Sequence, residues 1–231
     1  MKIVITGFAD TMTRPQRKAG YIYLPFYIIV LPLFVVMLSA LSPENYNDLT
    51  ANAVYYGIGL LFCLIPMRSY LRSAYDALLD NLGANIAALA FGYIINILLG
   101  YLATGLIFTI MGDKLTSLNS QLSAFESSRG VIALAVFVAP VIEEVLFRGV
   151  VFGALAPKHR RLAFIVSIGL FAFYNVWQFA IAAMNLTVFV YMIAYIPLGY
   201  VLAWAYEKTN CIWVSILLHI LINAMSLLVV S

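Results

Sequence analysis

The sequence predicts an all-α protein, a polytopic transmembrane helix bundle of about seven spans with one short interfacial helix. Three observations carry that expectation. Hydrophobic residues make up 64% of the chain and charged residues only 10%, whereas soluble domains average about 45–50% apolar and about 25% charged. The mean hydropathy is +0.99. Apolar runs long enough to cross a bilayer recur along the chain, separated by polar or charged breaks. A soluble core of this length has no use for so much apolar surface, but lipid accepts apolar side chains all round a helix.

The runs place spans at 21–41, 52–67, 84–111, 131–155, 162–183, 186–206 and 212–230. Residues 42–49 form a polar, acidic loop with Pro43, Glu44 and Asp48, and 112–128 a polar, serine-rich one. The mixed stretch 68–81 can gather Tyr70, Leu71, Ala74, Leu78 and Leu79 on one face and reads as an interfacial helix. Almost nothing links the fifth span to the sixth, which implies a tight antiparallel pair. No repeat is visible. The chain divides into N-terminal spans and loops over 1–128 and a core over 129–231.

Arg14, Arg17 and Lys18, then Arg68 and Arg72, then Lys158, Arg160 and Arg161 all fall on one side of such a topology. The positive-inside rule makes that side, and the N-terminus, cytoplasmic. The polar first 20 residues and the long run after them argue against a cleavable leader. A net charge of +3 gives no case for nucleic acid. Cys63 and Cys211 lie in or beside apolar runs and show neither a disulfide framework nor metal-type spacing.

The chemistry gathers in the fourth span, at Glu143, Glu144 and Arg148. Even the mildest scale charges about 2.5–3.5 kcal/mol for such a residue at the bilayer centre. Glu144 and Arg148, four apart, share a helix face and can pair. Glu143 lies about 100° round the helix and keeps no local partner. A buried carboxyl of that kind is a candidate general base. Pro140 removes a backbone hydrogen bond one turn earlier and predicts a kink. The bland alternative is that both glutamates only fix packing, but two carboxylates against one arginine leave a charge over.

In the last span His219 and Asn223 lie four apart and offer a donor pair for a developing oxyanion. Their bland alternative is an interhelical hydrogen bond. Asn175 and Gln178 can share a face of the fifth span, most simply as interhelical glue, and Asn96 takes that reading outright. Zinc fits poorly. The chain has two histidines, and His159 stands in the basic loop beside Arg160 and Arg161. A catalytic zinc usually takes three protein ligands, two or three of them histidine. No metal or other cofactor is expected.

These residues resemble the prokaryotic intramembrane proteases of the CAAX-protease and bacteriocin-processing family, also called CPBP or Abi. Its E-E-x-x-x-R motif is matched by Glu143, Glu144 and Arg148 with the flanking Ala139, Pro140, Phe147 and Gly149, and its H-x-x-x-N motif by His219 and Asn223. The stretch 197–209, with Ile212 and Trp213, is also similar, so the resemblance covers about 130–226. It implies an all-helical bundle in the plasma membrane of a prokaryote. It implies hydrolysis of a membrane-associated peptide or membrane-protein substrate by glutamate-activated water, without obligatory zinc. Carried over, Glu143 is the base, His219 with Asn223 the oxyanion site, and Arg148 the residue that holds Glu144. One departure stands out: the family's F-x-x-x-H becomes Phe171 to Asn175. Asparagine can orient a water but cannot take its proton. The alternative is therefore an impaired member that acts as a membrane-embedded partner, for example of an immunity complex or a sensor kinase.

Overall fold

A computed structural model describes residues 8–41, 47–116 and 129–230, and these form helices joined by short turns, with no strand among the described residues. Thr13 opens the first helix, α1 (Arg14–Pro25), with a capping box. Its hydroxyl accepts from Gln16 N, and the Gln16 side chain accepts from Thr13 N at 3.0 Å. The helix then widens into a π turn, Phe26–Val30, before α2 (Leu31–Leu41). Asn47 caps α3 (Asp48–Leu64) by accepting from Thr50 N at 2.9 Å.

Helix α4 (Arg68–Asp80) leaves α3 at a bend of 75°. Of its expected apolar face, Tyr70, Leu71 and Ala74 are buried, whereas Leu79 is exposed. The 30-residue α5 (Leu82–Met111) turns most of its apolar surface outward. The expected loops at 42–49 and 112–128 lie mostly outside the described residues.

The motif span is a broken helix. It runs through α6 (Arg129–Phe137), α7 (Ala139–Glu143), a π segment Glu144–Phe152, and α8 (Gly153–Leu155). The irregularity expected at Pro140 is a break at Val138, and Pro140 takes the first turn of α7. There its missing N–H costs least, because first-turn donors have no intrahelical partner anyway. Helix α9 (Arg160–Ala182) turns back through Met184 at φ 49° into a 3₁₀ segment, Leu186–Tyr191, and α10 (Met192–Thr209). Asn210 ends α10 in the left-handed region at φ 51°, and α11 (Ile212–Val230) follows. Helix α10 packs most extensively on α5 and α9, so the close α9–α10 pairing read from the missing linker is present.

The chain is an all-α, polytopic membrane protein. Five helices are long and apolar enough to cross a bilayer, and a sixth span results if α3 and α4 count as one bent unit. Ile212–Leu228 is apolar but shorter.

The N-terminal segment ties one end of the bundle together. Gln16 Nε2 donates to Ser69 Oγ at 2.8 Å. Ala9 N donates to Asn210 Oδ1 at 3.1 Å, across 201 residues of sequence. Arg17 pairs with Asp10 and donates from Nη1 to the carbonyls of Gly149 and Val150, at 3.3 and 2.7 Å. Gly20 lies directly against the Val150 side chain, where a Cβ has no room. Arg160 pairs with Glu207 at the same end.

Candidate active site

All nine residues of the π segment Glu144–Phe152 are buried. A π turn re-aims side chains relative to an α-helix, which is why such turns gather at functional sites. Helix α1 clamps the lower part of the segment through Arg17 and Gly20. Its upper part carries the charged residues into the core.

Glu144 and Arg148 are fully buried and paired at 2.8 Å. Arg148 Nη2 also donates to Gly199 O of α10 at 3.1 Å, and its guanidinium lies 4.5 Å from the Phe171 ring centre. Glu144 has further partners on α11. Its Oε2 accepts from Ser215 Oγ at 2.5 Å, and its Oε1 lies 2.9 Å from His219 Nδ1. A carboxylate only accepts, so Nδ1 carries a proton in this contact, and Nε2 is turned the other way. It faces Glu143, with 4.0 Å between Nε2 and Oε2. Glu143 is thus the carboxylate whose nearest ionisable partner is not in contact, while Glu144 is held from three directions.

A wall of tyrosines shares the core of Ile142, the neighbour of Glu143. Tyr27, Tyr55 and Tyr174 are buried in that cluster, and Tyr56 and Tyr195 pack against it. The Tyr27 ring stacks on those of Tyr55 and Tyr174, at 4.8 and 5.6 Å between centres. The Phe171 ring meets His219 edge-on at 5.7 Å.

The remaining expected residues are placed differently. Asn175 donates from Nδ2 to Phe171 O at 2.9 Å, back into its own helix. Gln178 is exposed. The Asn96 side-chain oxygen is buried with no hydrogen-bond partner among the described residues. Asn223 donates to Ala135 O of α6 at 3.4 Å. His219 Nδ1 and Asn223 Nδ2 therefore each have a partner outside α11. Among the described residues no three His, Cys, Asp or Glu side chains are arranged to hold a metal ion.

Residues 126–225 match the family model described as type II CAAX prenyl endopeptidase Rce1-like. That stretch is similar to the Rce1-like family. It contains Glu143, Glu144, Arg148, Asn175, His219 and Asn223, in keeping with the resemblance that the two motifs carry. The protein named "Putative membrane peptidase YdiL" of Bacillus subtilis (strain 168) is 25% identical over 219 residues, covering 86% of this chain and 86% of that protein. No solved structure matches the chain at a significant level.

Within the matched stretch the structure adds Ser215, which the motifs omit. Its signal was present: Ser215, His219 and Asn223 recur at intervals of four and lie along one stripe of α11. The tyrosines had no such signal. Tyr27, Tyr55 and Tyr56 lie outside the stretch, in N-terminal helices that only tertiary packing brings to the core of Ile142.

Proposed function

We propose that the protein is an intramembrane endopeptidase of the glutamate type, hydrolysing a membrane-associated peptide or membrane protein in the plasma membrane of a prokaryote. The observation that carries this reading is the asymmetry of the two carboxylates. Glu144 is saturated by Arg148, Ser215 and His219, and Glu143 is left facing His219 Nε2 across 4.0 Å. The Rce1-like match and the name of the Bacillus subtilis relative support peptidase chemistry. The three basic clusters support a cytoplasmic N-terminus.

In this reading Glu143 takes a proton from water as the water oxygen bonds to the scissile carbonyl carbon. The carbonyl electron pair moves onto its oxygen. His219, with both ring nitrogens protonated, donates from Nε2 to that oxygen. Asn223 joins it by exchanging a long hydrogen bond, 3.4 Å to Ala135 O, for a shorter one. When the C–N bond breaks, Glu143 returns its proton to the departing amine. Glu144, Arg148 and Ser215 hold the histidine. No metal takes part, and the unit doing this work is the core at 129–231.

Asn175 favours a second reading, in which the chain keeps the fold but serves as a non-catalytic membrane partner. Cleavage of prenylated and leader-type peptides by purified protein in liposomes separates the two. Hydrolysis lost in Glu143→Ala and kept in Asn175→Ala supports the peptidase. No hydrolysis across such a peptide set, with none gained in Asn175→His, rejects it in favour of the partner.

A further inference from the structure

The tyrosine wall contains a hydrogen-bond donor that finds no acceptor among the described residues. Tyr27 lies in the π turn Phe26–Val30, where Leu31 N donates to Phe26 O. The next donor in that pattern would be residue 32, which is proline and has no N–H. The Tyr27 carbonyl is thus left without a donor from its own helix, and a buried carbonyl needs one. Tyr55 Oη supplies it at 3.1 Å.

A phenol has a single proton, and that bond commits the one on Tyr55. Tyr174 Oη lies 3.1 Å from Tyr55 Oη and donates to Tyr27 Oη at 3.2 Å. The proton left over in the trio belongs to the Tyr27 hydroxyl. The Tyr27 ring is fully buried and packs against Gly59, which also gives way to Ile142, the neighbour of Glu143. A Cβ on Gly59 would stand 2.6 Å from Ile142 Cδ1 and 3.1 Å from Tyr27 Cε2. Tyr56 and Tyr195 are only partly buried.

We propose that the Tyr27 hydroxyl donates to the carbonyl oxygen of the bound peptide, so that tyrosine supplies part of the oxyanion site. The inference rests on the endopeptidase reading. As water oxygen bonds to the carbonyl carbon and Glu143 takes its proton, the carbonyl oxygen gains the electron pair and accepts from Tyr27. As the C–N bond breaks, that pair returns to re-form the C=O bond and the amine takes the proton from Glu143. A fixed O–H donor in a dry site acts where charge develops and needs no solvent reorganisation. This adds a tyrosine hydroxyl to the oxyanion site of a chain whose Asn175 is tied to its own helix.

The test uses the full chain in liposomes and a fluorogenic membrane-anchored peptide with a prenylcysteine C-terminus. Tyr27→Phe keeps the ring and is expected to lower kcat about 10²-fold while leaving KM little changed. Tyr23→Phe, one turn earlier, removes a buried hydroxyl that has no partner among the described residues; its kcat should stay at the wild-type level. A kcat for Tyr27→Phe within about twofold of an active wild type overturns the inference and leaves the peptidase reading standing. No cleavage by the wild type overturns both. If Tyr27→Phe does not fold, 3-fluorotyrosine at position 27, a stronger donor of nearly the same shape, must change kcat; an unchanged kcat overturns the inference.

Discussion

His219 Nδ1 lies 2.9 Å from Glu144 Oε1, so the carboxylate that pairs with Arg148 also accepts the Nδ1 proton and fixes the ring. Glu144 therefore acts through other side chains. It orients the ring, and the ring carries that orientation to Glu143.

Glu144→Gln should damage both stability and activity. The substitution leaves Arg148 buried without its charge partner, and breaking a buried ion pair in this way typically costs about 3–5 kcal/mol. It also presents an amide that can donate, so the ring loses the pure acceptor that holds Nδ1. Thermal unfolding in detergent should show a clearly lower midpoint. An unchanged midpoint would mean that the Glu144–Arg148 pair does not hold the core together.

Arg17→Met should loosen the motif helix from its far end. It removes the donors to the Gly149 and Val150 carbonyls, and charged hydrogen bonds of that kind contribute about 1.5–3 kcal/mol. Arg17→Lys should recover part of the loss, since an ammonium can reach one carbonyl but lacks the fork. Unfolding midpoints of the two variants check this, and equal values would contradict it.

Asn175 should prove dispensable as an amide. Its Nδ2 bonds to the preceding turn of its own helix, so Asn175→Ala removes only a local bond worth about 1 kcal/mol. Cleavage should persist within about tenfold, far short of the 10²–10⁴-fold loss expected on removing a general base. Asn175→His should raise the rate if the ring leaves the helix carbonyl and reaches Glu143. A large loss in Asn175→Ala would assign the asparagine a direct role.

Much of this arrangement was legible in the sequence because burying charge in lipid is so costly. The anomaly of Glu143, Glu144 and Arg148 in an apolar run marked the candidate site, and a spacing of four predicted the Glu144–Arg148 pair. Spacing within one helix could not reveal partners on another. The sequence reading set His219 beside Asn223, yet the histidine belongs to Glu144, and Asn223 reaches α6. The π segment was hidden too, because no residue in 144–152 is a helix breaker of the proline kind. Its buried surroundings and the clamp from Arg17 and Gly20 sustain it. The tyrosine trio joins three regions of the chain, so no local pattern marks it. Span counting was limited for a different reason: α3 and α4 bend within one apolar region, and the last helix is short.

The most direct test is cleavage by purified protein in liposomes, comparing wild type with Glu143→Gln on the same membrane-anchored peptide. The amide keeps the shape of the side chain and cannot accept the water proton. The expected result is hydrolysis by the wild type and a loss of about 10²–10⁴-fold in Glu143→Gln, with an unchanged unfolding midpoint. Cleavage by Glu143→Gln at the wild-type rate would contradict the assignment of Glu143 as the base.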